Sequence, residues 1–243
     1  MSTPDASGAE PPQDPRTTFA ELSTIMLGDQ PLSATLARVA ELAKRTIPGA
    51  AEVSVTLMQD GDVESVAFTG PLAAQLDERQ YQAGFGPCMD AAVSGGIIPI
   101  DDTAKSAAYP DFGRMARRQG ITHTMSVGLP VQRQIIGALN IYGTDDGAFD
   151  EQTRELATTF ASYAAVAVAN AGLYATTAQL AAHLQHALES RAVIDQAKGI
   201  LMSQHGISAD AAFDLLSKQS QVTNRKLRDI ASDLVAMVQR GRD

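Results

Sequence analysis

The segment from Glu151 to Gln204 most constrains the fold, because it contains no proline and only two glycines, Gly172 and Gly199. Asp150 precedes it and can cap a helix, since an aspartate accepts hydrogen bonds from the free N–H groups of a first helical turn. We therefore predict one long helix, which at 1.5 Å per residue extends over on the order of 80 Å. Gly206 is expected to end it in a left-handed conformation.

A stripe of mostly apolar or small residues runs along this helix at spacings of three and four. It comprises Leu156, Phe160, Tyr163, Ala167, Asn170, Leu173, Thr177, Leu180, Leu184, Ala187, Arg191, Ile194 and Leu201. This spacing is typical of a coiled-coil seam, which a single helix cannot bury on itself. The part from 180 to 201 favours a parallel homodimer, whereas the alanine-rich part from 161 to 175 also suits packing against the chain's own preceding domain.

Composition narrows the class of protein. The chain has 243 residues, of which 44% are hydrophobic and 19% charged, as in soluble proteins with two modest domains. The chain contains no run of about 18 apolar residues, so we do not expect a transmembrane helix. Residues 1–16 are acidic, rich in proline, serine and alanine, and without the basic and apolar parts of a signal peptide, so we expect them to be disordered. A chain with a single cysteine is expected in the reducing cytoplasm. The single cysteine, Cys88, excludes an intramolecular disulfide, and the scattered histidines argue against a zinc site.

Charge is distributed unevenly along the chain. The net charge is −9, yet the segment from Ser190 onward has eight basic and six acidic residues and therefore carries +2. The remainder carries −11. We therefore expect any polyanion to bind the C-terminal segment, where so modest a charge cannot supply affinity by bulk electrostatics alone.

Residues 17–149 combine helical and strand patterns. Predicted helices cover 18–45, with a break at 28–31, and 71–81; predicted strands cover 53–57, 63–68, 97–100, 126–131 and 135–142. Asp60-Gly61 is a hairpin turn signal, and Gly84 to Pro87 is expected to be a loop. The pattern predicts an antiparallel sheet flanked by helices, an α+β domain.

Five short motifs within this region form an ordered set. They are Gly86-Pro87-Cys88, Ile98 to Asp102, Tyr109 to Phe112, Ser126 to Val131 and Gly137 to Tyr142. The set resembles the GAF domain, a small-molecule-sensing fold, and the resemblance implies a sensor for a ligand that the residues do not identify. No cofactor is required by the sequence.

Two residues of the GAF-like region are candidates for ligand binding. Cys88 suits either a redox-sensing thiol or a small buried hydrophobic residue. His123 suits either a ligand pocket or a structural position next to a strand. Both alternatives remain open from the sequence.

The last fifty residues predict two further short helices. Ser208 can cap the first, whose apolar stripe includes Leu215 and Leu216. Thr223 can cap the second, whose stripe comprises Leu227, Ile230, Ala231, Leu234, Val235 and Val238. Together with the end of the long helix they are expected to form a three-helix bundle.

Three runs in this tail carry a second resemblance. Ala197 to Met202, Ala211 to Leu216 and Asn224 to Ala231 resemble the ANTAR domain, a helical RNA-binding module of transcription antiterminators. The resemblance implies a bundle on a dimerising stalk that binds paired stem-loops in nascent RNA and prevents a terminator from forming. Ser217 stands where the family often has a basic residue, and Lys218 follows it.

The expected organisation therefore has four parts. Residues 1–16 are disordered, 17–149 form a GAF-like sensor, 150–189 a coiled-coil stalk helix, and 190–243 an ANTAR-like domain.

Seven residues are predicted to contact RNA. They are Arg191, Lys198, Lys218, Asn224, Arg225, Lys226 and Arg228. The last three basic residues cluster near a helix start, where the helix dipole favours phosphate. For each basic residue taken singly a solvated charge is the alternative, and Asn224 suits a helix cap equally well. Gly199 fits either close approach of RNA or tight packing between helices.

The motifs contain no Ser/His/Asp order, phosphate-cradling glycine loop or metal-ligand spacing, so we do not expect an enzyme. We expect a signal-responsive antitermination regulator. Two alternatives stay open: a dimeric ligand-binding or protein-interaction module, and a DNA-binding transcription regulator.

Overall fold

The computed structural model describes residues 13–25, 31–59, 62–132, 134–145, 147 and 149–240. Residues 28–30 of the helix break expected at 28–31, the Asp60-Gly61 turn and most of the N-terminal segment lie outside these residues. The chain divides into two compact units, Met1–Ala175 and Thr176–Asp243. Each unit is built around its own hydrophobic core.

The first unit contains the predicted antiparallel sheet. Its strands are β1 (Glu52–Gln59), β2 (Asp62–Phe68), β3 (Ile97–Ile100), β4 (His123–Val131) and β5 (Gln134–Gly143), in the spatial order β2-β1-β5-β4-β3. All neighbouring strands are antiparallel, and Ser54 of β1 lies opposite Asn140 of β5. Both predicted hairpins are thus confirmed as strand pairs.

Among the described residues, five α-helices of the first unit precede the long one. They are α1 (Pro15–Ile25), α2 (Leu32–Thr46), α3 (Pro71–Ala83), α4 (Pro87–Ser94) and α5 (Pro110–Arg118). The sequence patterns did not predict α4 and α5, which are short. Each begins at a proline, which fits the first turn of a helix because its missing N–H is not needed there.

Two expectations about this region are corrected. Pro87 was expected in a loop, but it begins α4. Pro15 and Arg16 were expected to be disordered, but they begin α1, where the Asp14 carboxylate accepts a hydrogen bond of 2.9 Å from the Arg16 N–H. Such a cap stabilises the first turn of a helix that starts with proline.

The two faces of the sheet differ in chemistry. On one face Val53, Val55, Leu139 and Ile141 join a core to which α1, α2 and the first half of the long helix also contribute. Successive strand residues point to opposite faces. The other face therefore carries buried Ser54, Thr56, Thr124, Ser126, Asn140 and Tyr142.

The long helix, α6, runs from Glu151 to His205, which confirms its predicted extent. The Asp150 carboxylate caps it by accepting a 2.7 Å hydrogen bond from the Thr153 N–H. Phe160 and Ala164 are fully buried in the core of the first unit, so the alanine-rich part packs against its own domain. In contrast, Leu180 and Leu184 are each 57% exposed.

One window of α6 has a mean hydropathy of 1.3 and is long enough to cross a membrane, by length and composition. Of this window 44% is buried inside the protein, and the core helix of a soluble protein also passes a test of length and composition. The window is therefore weak evidence for a membrane span.

The second unit is the predicted three-helix bundle. The end of α6 packs with α7 (Ala209–Thr223) and α8 (Leu227–Arg240). Its core has one fully or almost fully buried residue from each helix, Ala197, Leu216 and Ala231. Gly206 has φ +66° as expected at the end of α6, and the Ser208 hydroxyl caps α7 by accepting a 3.2 Å hydrogen bond from the Ala211 N–H.

The expected cap of α8 is wrong. Thr223 is the last residue of α7 and not the N-cap of α8. Asn224 ends α7 in a left-handed conformation, with φ 51° and ψ 36°, which asparagine tolerates better than most residues. The chain then turns, and the Lys226 carbonyl accepts the first helical hydrogen bonds of α8 from Asp229 and Ile230.

Candidate nucleic-acid interface

The seven residues predicted to contact RNA all lie in the second unit. Arg191 and Lys198 lie on α6 and Lys218 on α7, whereas Asn224, Arg225 and Lys226 form the turn to α8, which begins with Leu227 and Arg228. The bundle core thus orients three helices whose ends and faces carry the candidate side chains.

The two candidates on α6 share one carboxylate. Asp195 accepts from Lys198 Nζ at 3.2 Å and lies 3.8 Å from Arg191 Nε. These spacings of three and four residues place the three side chains on one face of the helix. The Arg191 side chain is 83% exposed and that of Lys198 only 24%. An exposed ion pair contributes about 0–1 kcal/mol, so an approaching phosphate can replace the carboxylate beside Arg191 at little cost.

Arg225 is held by both its backbone and its side chain. Its N–H donates to the Ser220 carbonyl at 3.1 Å, which fixes the turn after α7. Its guanidinium lies 2.7 Å from the Asp233 carboxylate of α8, and 49% of its side chain is exposed. The turn and the ion pair together hold this cation beside the first half of α8.

Arg228 connects α8 to α6. Its Nη1 lies 3.2 Å from Nδ1 of His186, and its Nε lies 3.3 Å from the Asp229 carboxylate. Only 33% of its side chain is exposed. No pattern along the chain pairs His186 with Arg228, because the contact joins positions 42 residues apart.

Lys218 and Lys226 differ from these cations. Both are exposed, and neither forms an ion pair with any residue that the structure describes. Lys218 follows the half-buried Ser217. Among the seven predicted contacts, these two lysines are therefore the cations that can meet a phosphate without first losing an ion-pair partner.

Gly199 is exposed on α6, and a Cβ atom added there meets no atom within 4 Å. Tight helix packing within the chain is therefore the wrong explanation for this glycine. The open space beside it is compatible with the approach of another molecule.

The two candidate ligand-binding side chains of the first unit, Cys88 and His123, are both buried. Cys88 is fully buried, and burial raises the pKa of its thiol far above the ordinary range, with the nearby Asp77 adding to the rise. A thiol in such surroundings forms little nucleophilic thiolate. His123 is 3% exposed, its ring packs edge-on against Phe149 at 4.4 Å, and burial lowers its pKa.

The polar face of the sheet holds a buried cluster that the sequence patterns missed. Asp77 of α3 accepts hydrogen bonds from the Tyr142 hydroxyl and, at 3.5 Å, from the Asn140 amide. The same amide donates to the hydroxyls of Ser54 at 3.1 Å and Thr56 at 3.0 Å. Burial, followed by the charge of Asp77, raises the pKa of Tyr142 well above 10. Alternation along β1 and β5 was the available signal for this cluster.

Two atoms on this face remain without a partner among the described residues. They are Asn140 Oδ1 and Thr124 Oγ1, both buried. A buried polar atom without a hydrogen bond costs about 1–3 kcal/mol, so such atoms mark places where a water or ligand can bind. Within the described ranges, no group of three or more His, Cys, Asp or Glu side chains is arranged to hold a metal ion.

Comparison with known families agrees with this architecture. The sequence model of the GAF domain family matches residues 29–169, and that of the ANTAR domain family matches residues 182–235. No curated protein matches the chain at a significant level.

Solved structures show the same fold for the first unit. The GAF domain of a phosphoenolpyruvate-protein phosphotransferase from Coxiella burnetii is 18% identical with a TM-score of 0.52, over 67% of this chain and 96% of that one. The phycoerythrobilin-bound GAF domain of a cyanobacterial phytochrome is 12% identical with a TM-score of 0.50, over 66% of this chain and 97% of that one.

At these identities the likeness concerns the fold alone. The family matches are more specific, because together they account for both units in the order in which the chain presents them. Both families are regulatory rather than catalytic. The chain therefore belongs to the GAF domain family and, carrying an ANTAR domain after its GAF domain, is a regulator of the ANTAR family.

Proposed function

We propose that this protein is a signal-responsive transcription antitermination regulator. Its ANTAR domain binds paired stem-loops in nascent RNA, and its GAF domain controls that binding in response to a small molecule. The observation that carries the proposal is that the ANTAR match, residues 182–235, contains all seven predicted RNA contacts. The protein acts as a cytoplasmic homodimer, joined along α6.

The electrostatics of the second unit support an RNA-binding role. Two exposed lysines, Lys218 and Lys226, have no ion-pair partner among the described residues, and the paired cations are held only by exposed or partly exposed carboxylates. Each phosphate that such a cation neutralises releases counterions, which makes the affinity depend on salt. A unit with a modest net charge can thus bind RNA through a few well-placed contacts.

The composition of the tail favours backbone and base-edge contacts over stacking. Phe213 is the only aromatic residue after Ser190. Proteins that bind single strands by stacking use several aromatic side chains. Stem-loops instead offer phosphates along the stem and unpaired bases in the loop, which a small helical surface can read.

The dimer is supported by exposed leucines on α6. Leu180 and Leu184 of the predicted seam are each 57% exposed, and Leu188, next to Ala187 of the seam, is 68% exposed. Leaving three leucines in water forgoes about 1.5–3 kcal/mol per side chain that burial would supply. A second copy of the same helix would cover the seam, and two ANTAR domains would then face two stem-loops.

The central test uses the full-length protein and an RNA that bears two short stem-loops. We expect binding that weakens with salt, a preference over duplex DNA at matched salt, and at least a tenfold loss when Lys198, Arg225 and Arg228 are replaced together by alanine. Arg240→Ala is the matched control, because Arg240 is an exposed tail arginine outside the predicted set. Unchanged binding by the triple variant would contradict the prediction that these three residues contact RNA.

The alternatives give different results in the same experiment. A protein-interaction module shows no salt-dependent RNA affinity, and a DNA-binding regulator prefers the duplex. Antitermination itself is measured as read-through in transcription in vitro, on a template whose terminator overlaps the second stem-loop. Binding without increased read-through would overturn the antitermination step while retaining RNA recognition.

A further inference from the structure

A cavity of about 360 Å³ lies in the first unit between α3, the loop Gly84–Gly86 and the start of α5. This volume is in the range of sites for small molecules. None of the residues of the buried cluster around Asp77 and Asn140 lines this cavity.

The walls of the cavity are aromatic and already held in place. The Tyr109 hydroxyl donates to Asp90 at 2.6 Å, and burial together with this carboxylate raises the pKa of Tyr109 to about 12, so the phenol keeps its proton. The Phe85 ring lies 5.3 Å from the Tyr109 ring. Phe112 of α5 lines the cavity and is 7% exposed.

Two glycines that the backbone requires flank Phe85 in its loop. Gly84 has φ +67° and ends α3, and a Cβ atom on Gly86 would lie 2.3 Å from the Gln80 side chain. Only glycine fits both positions without strain or displacement. The loop therefore presents Phe85 with 53% of its surface in solvent, which an apolar occupant of the cavity would cover.

The polar groups at the cavity are hydrogen-bond donors. Arg79 is exposed and forms no ion pair within the described part of the chain; its one contact is a 3.4 Å hydrogen bond to Gln82. Gln80 is 2% exposed, and its Oε1 already accepts from the Cys88 N–H at 3.0 Å. Its Nε2 makes only a long 3.5 Å bond to the Leu76 carbonyl, which leaves an N–H for a ligand. The acidic residue at the rim, Asp111, is paired with Arg114.

We propose that this cavity binds a small planar aromatic acid. The ring lies between Phe85, Tyr109 and Phe112, and the carboxylate is bound by the Arg79 guanidinium, with the Gln80 amide as a second donor. The proposal rests on the proposed sensory function in one respect: the ligand of this cavity is a candidate for the small molecule that controls RNA binding. Gln80 also accepts the hydrogen bond from the Cys88 N–H at the start of α4. A ligand that shifts the Gln80 side chain would therefore also shift the start of α4.

The test measures ligand binding to the full-length protein, with benzoate as the probe and benzamide and acetate as controls. We expect benzoate to bind and to raise the Tm, whereas benzamide lacks the charge and acetate lacks the ring. Arg79→Ala and Phe85→Ala should each weaken benzoate binding at least tenfold. Arg118→Ala is the matched control, because Arg118 is an exposed arginine of α5 that does not line the cavity.

Each outcome bears on the proposal. Equal binding of benzoate and benzamide would overturn the assignment of the carboxylate to Arg79, and unchanged binding by Phe85→Ala would overturn the aromatic site. Absence of benzoate binding at millimolar concentration would overturn the ligand class. Both replaced side chains are exposed, so the variants are expected to fold, which their unliganded Tm checks. Stem-loop RNA binding is measured separately, so loss of one property does not imply loss of the other.

Discussion

Arg228 and His186 join the start of α8 to α6 through a contact of 3.2 Å between the guanidinium Nη1 and the imidazole Nδ1. Nδ1 can accept this hydrogen bond only when it carries no proton. The Ser190 hydroxyl also lies 3.4 Å from this imidazole nitrogen. Arg228 is therefore both a predicted RNA contact and part of the packing of the bundle.

These two roles can be separated by mutation. His186→Ala removes the acceptor and should lower the stability of the second unit by about 0.5 kcal/mol, since the hydrogen bond is partly exposed. It should leave RNA affinity within about twofold. Arg228→Ala should weaken RNA binding several-fold more, measured by titration at fixed salt. Equal losses in the two variants would mean that Arg228 acts through packing alone.

Gly199 offers a second separation. Gly199→Ala should stabilise α6 by about 1 kcal/mol, because alanine is the better helix former and the added Cβ atom meets open space. Its Tm should therefore rise, while RNA affinity falls if the RNA backbone approaches this face. Gly172→Ala is the matched control: it is also helical with open space beside it, but it lies in the first unit. A fall in RNA affinity in both variants would contradict a local contact at Gly199.

The exposed leucines of α6 predict the oligomeric state. Replacing Leu180 and Leu184 with glutamate should convert the dimer to a monomer in sedimentation equilibrium, because charges cannot be buried in the seam. Affinity for a two-stem-loop RNA should then fall to that for one stem-loop, since the second contact is no longer intramolecular. Gln179→Glu changes a neighbouring exposed position outside the predicted seam and should leave the dimer intact. A monomeric wild-type protein would contradict the seam.

Insertions after Leu180 test whether the stalk transmits the signal. One added residue rotates the following helix by about 100°, whereas seven residues nearly restore the original face. We expect insertions of one or three residues to change read-through in vitro, and an insertion of seven to preserve it. If all three insertions leave the output unaltered, the phase of the helix does not matter.

His123 predicts a pH dependence of the first unit. Burial lowers the pKa of His123 below its ordinary value of 6.5, so the unfolded chain binds the proton more readily. The full stability is present above about pH 6.5 and is lost as the pH falls from there toward the folded pKa. The free energy of unfolding, followed by circular dichroism, should decrease over this window, and His123→Gln should flatten the decrease. The carboxylates with lowered pKa, such as Asp102 and Asp150, titrate below this window.

Elements with strong periodicity were predictable from the sequence. The extent of α6, the antiparallel strand pairs and the three-helix bundle follow from apolar spacing, and caps at Asp150 and Ser208 follow from residue type. The helices α4 and α5 were missed, because eight or nine residues give too few turns for a recognisable stripe. Pro87, at the start of α4, is also a residue type that favours a loop in the sequence.

Side-chain partners were not predictable in the same way. The contact of Arg228 with His186 and the ion pair of Arg225 with Asp233 depend on how the helices pack, which spacing along one helix does not determine. The same holds for Asp77, whose partner Tyr142 lies 65 residues away. Tertiary packing thus decides which of the predicted cations are already paired.

The cluster beneath α3 also has a consequence for folding. Ser54 and Asn140 are opposite each other on β1 and β5, and the Asn140 amide nitrogen lies within hydrogen-bond distance of Ser54, Thr56 and Asp77. A slip of β5 by one residue would turn Asn140 toward the apolar face and leave the Asp77 carboxylate buried without these donors. Apolar residues alone would tolerate several alignments of these strands. The hydrogen bonds of the cluster therefore favour a single register of β1 and β5.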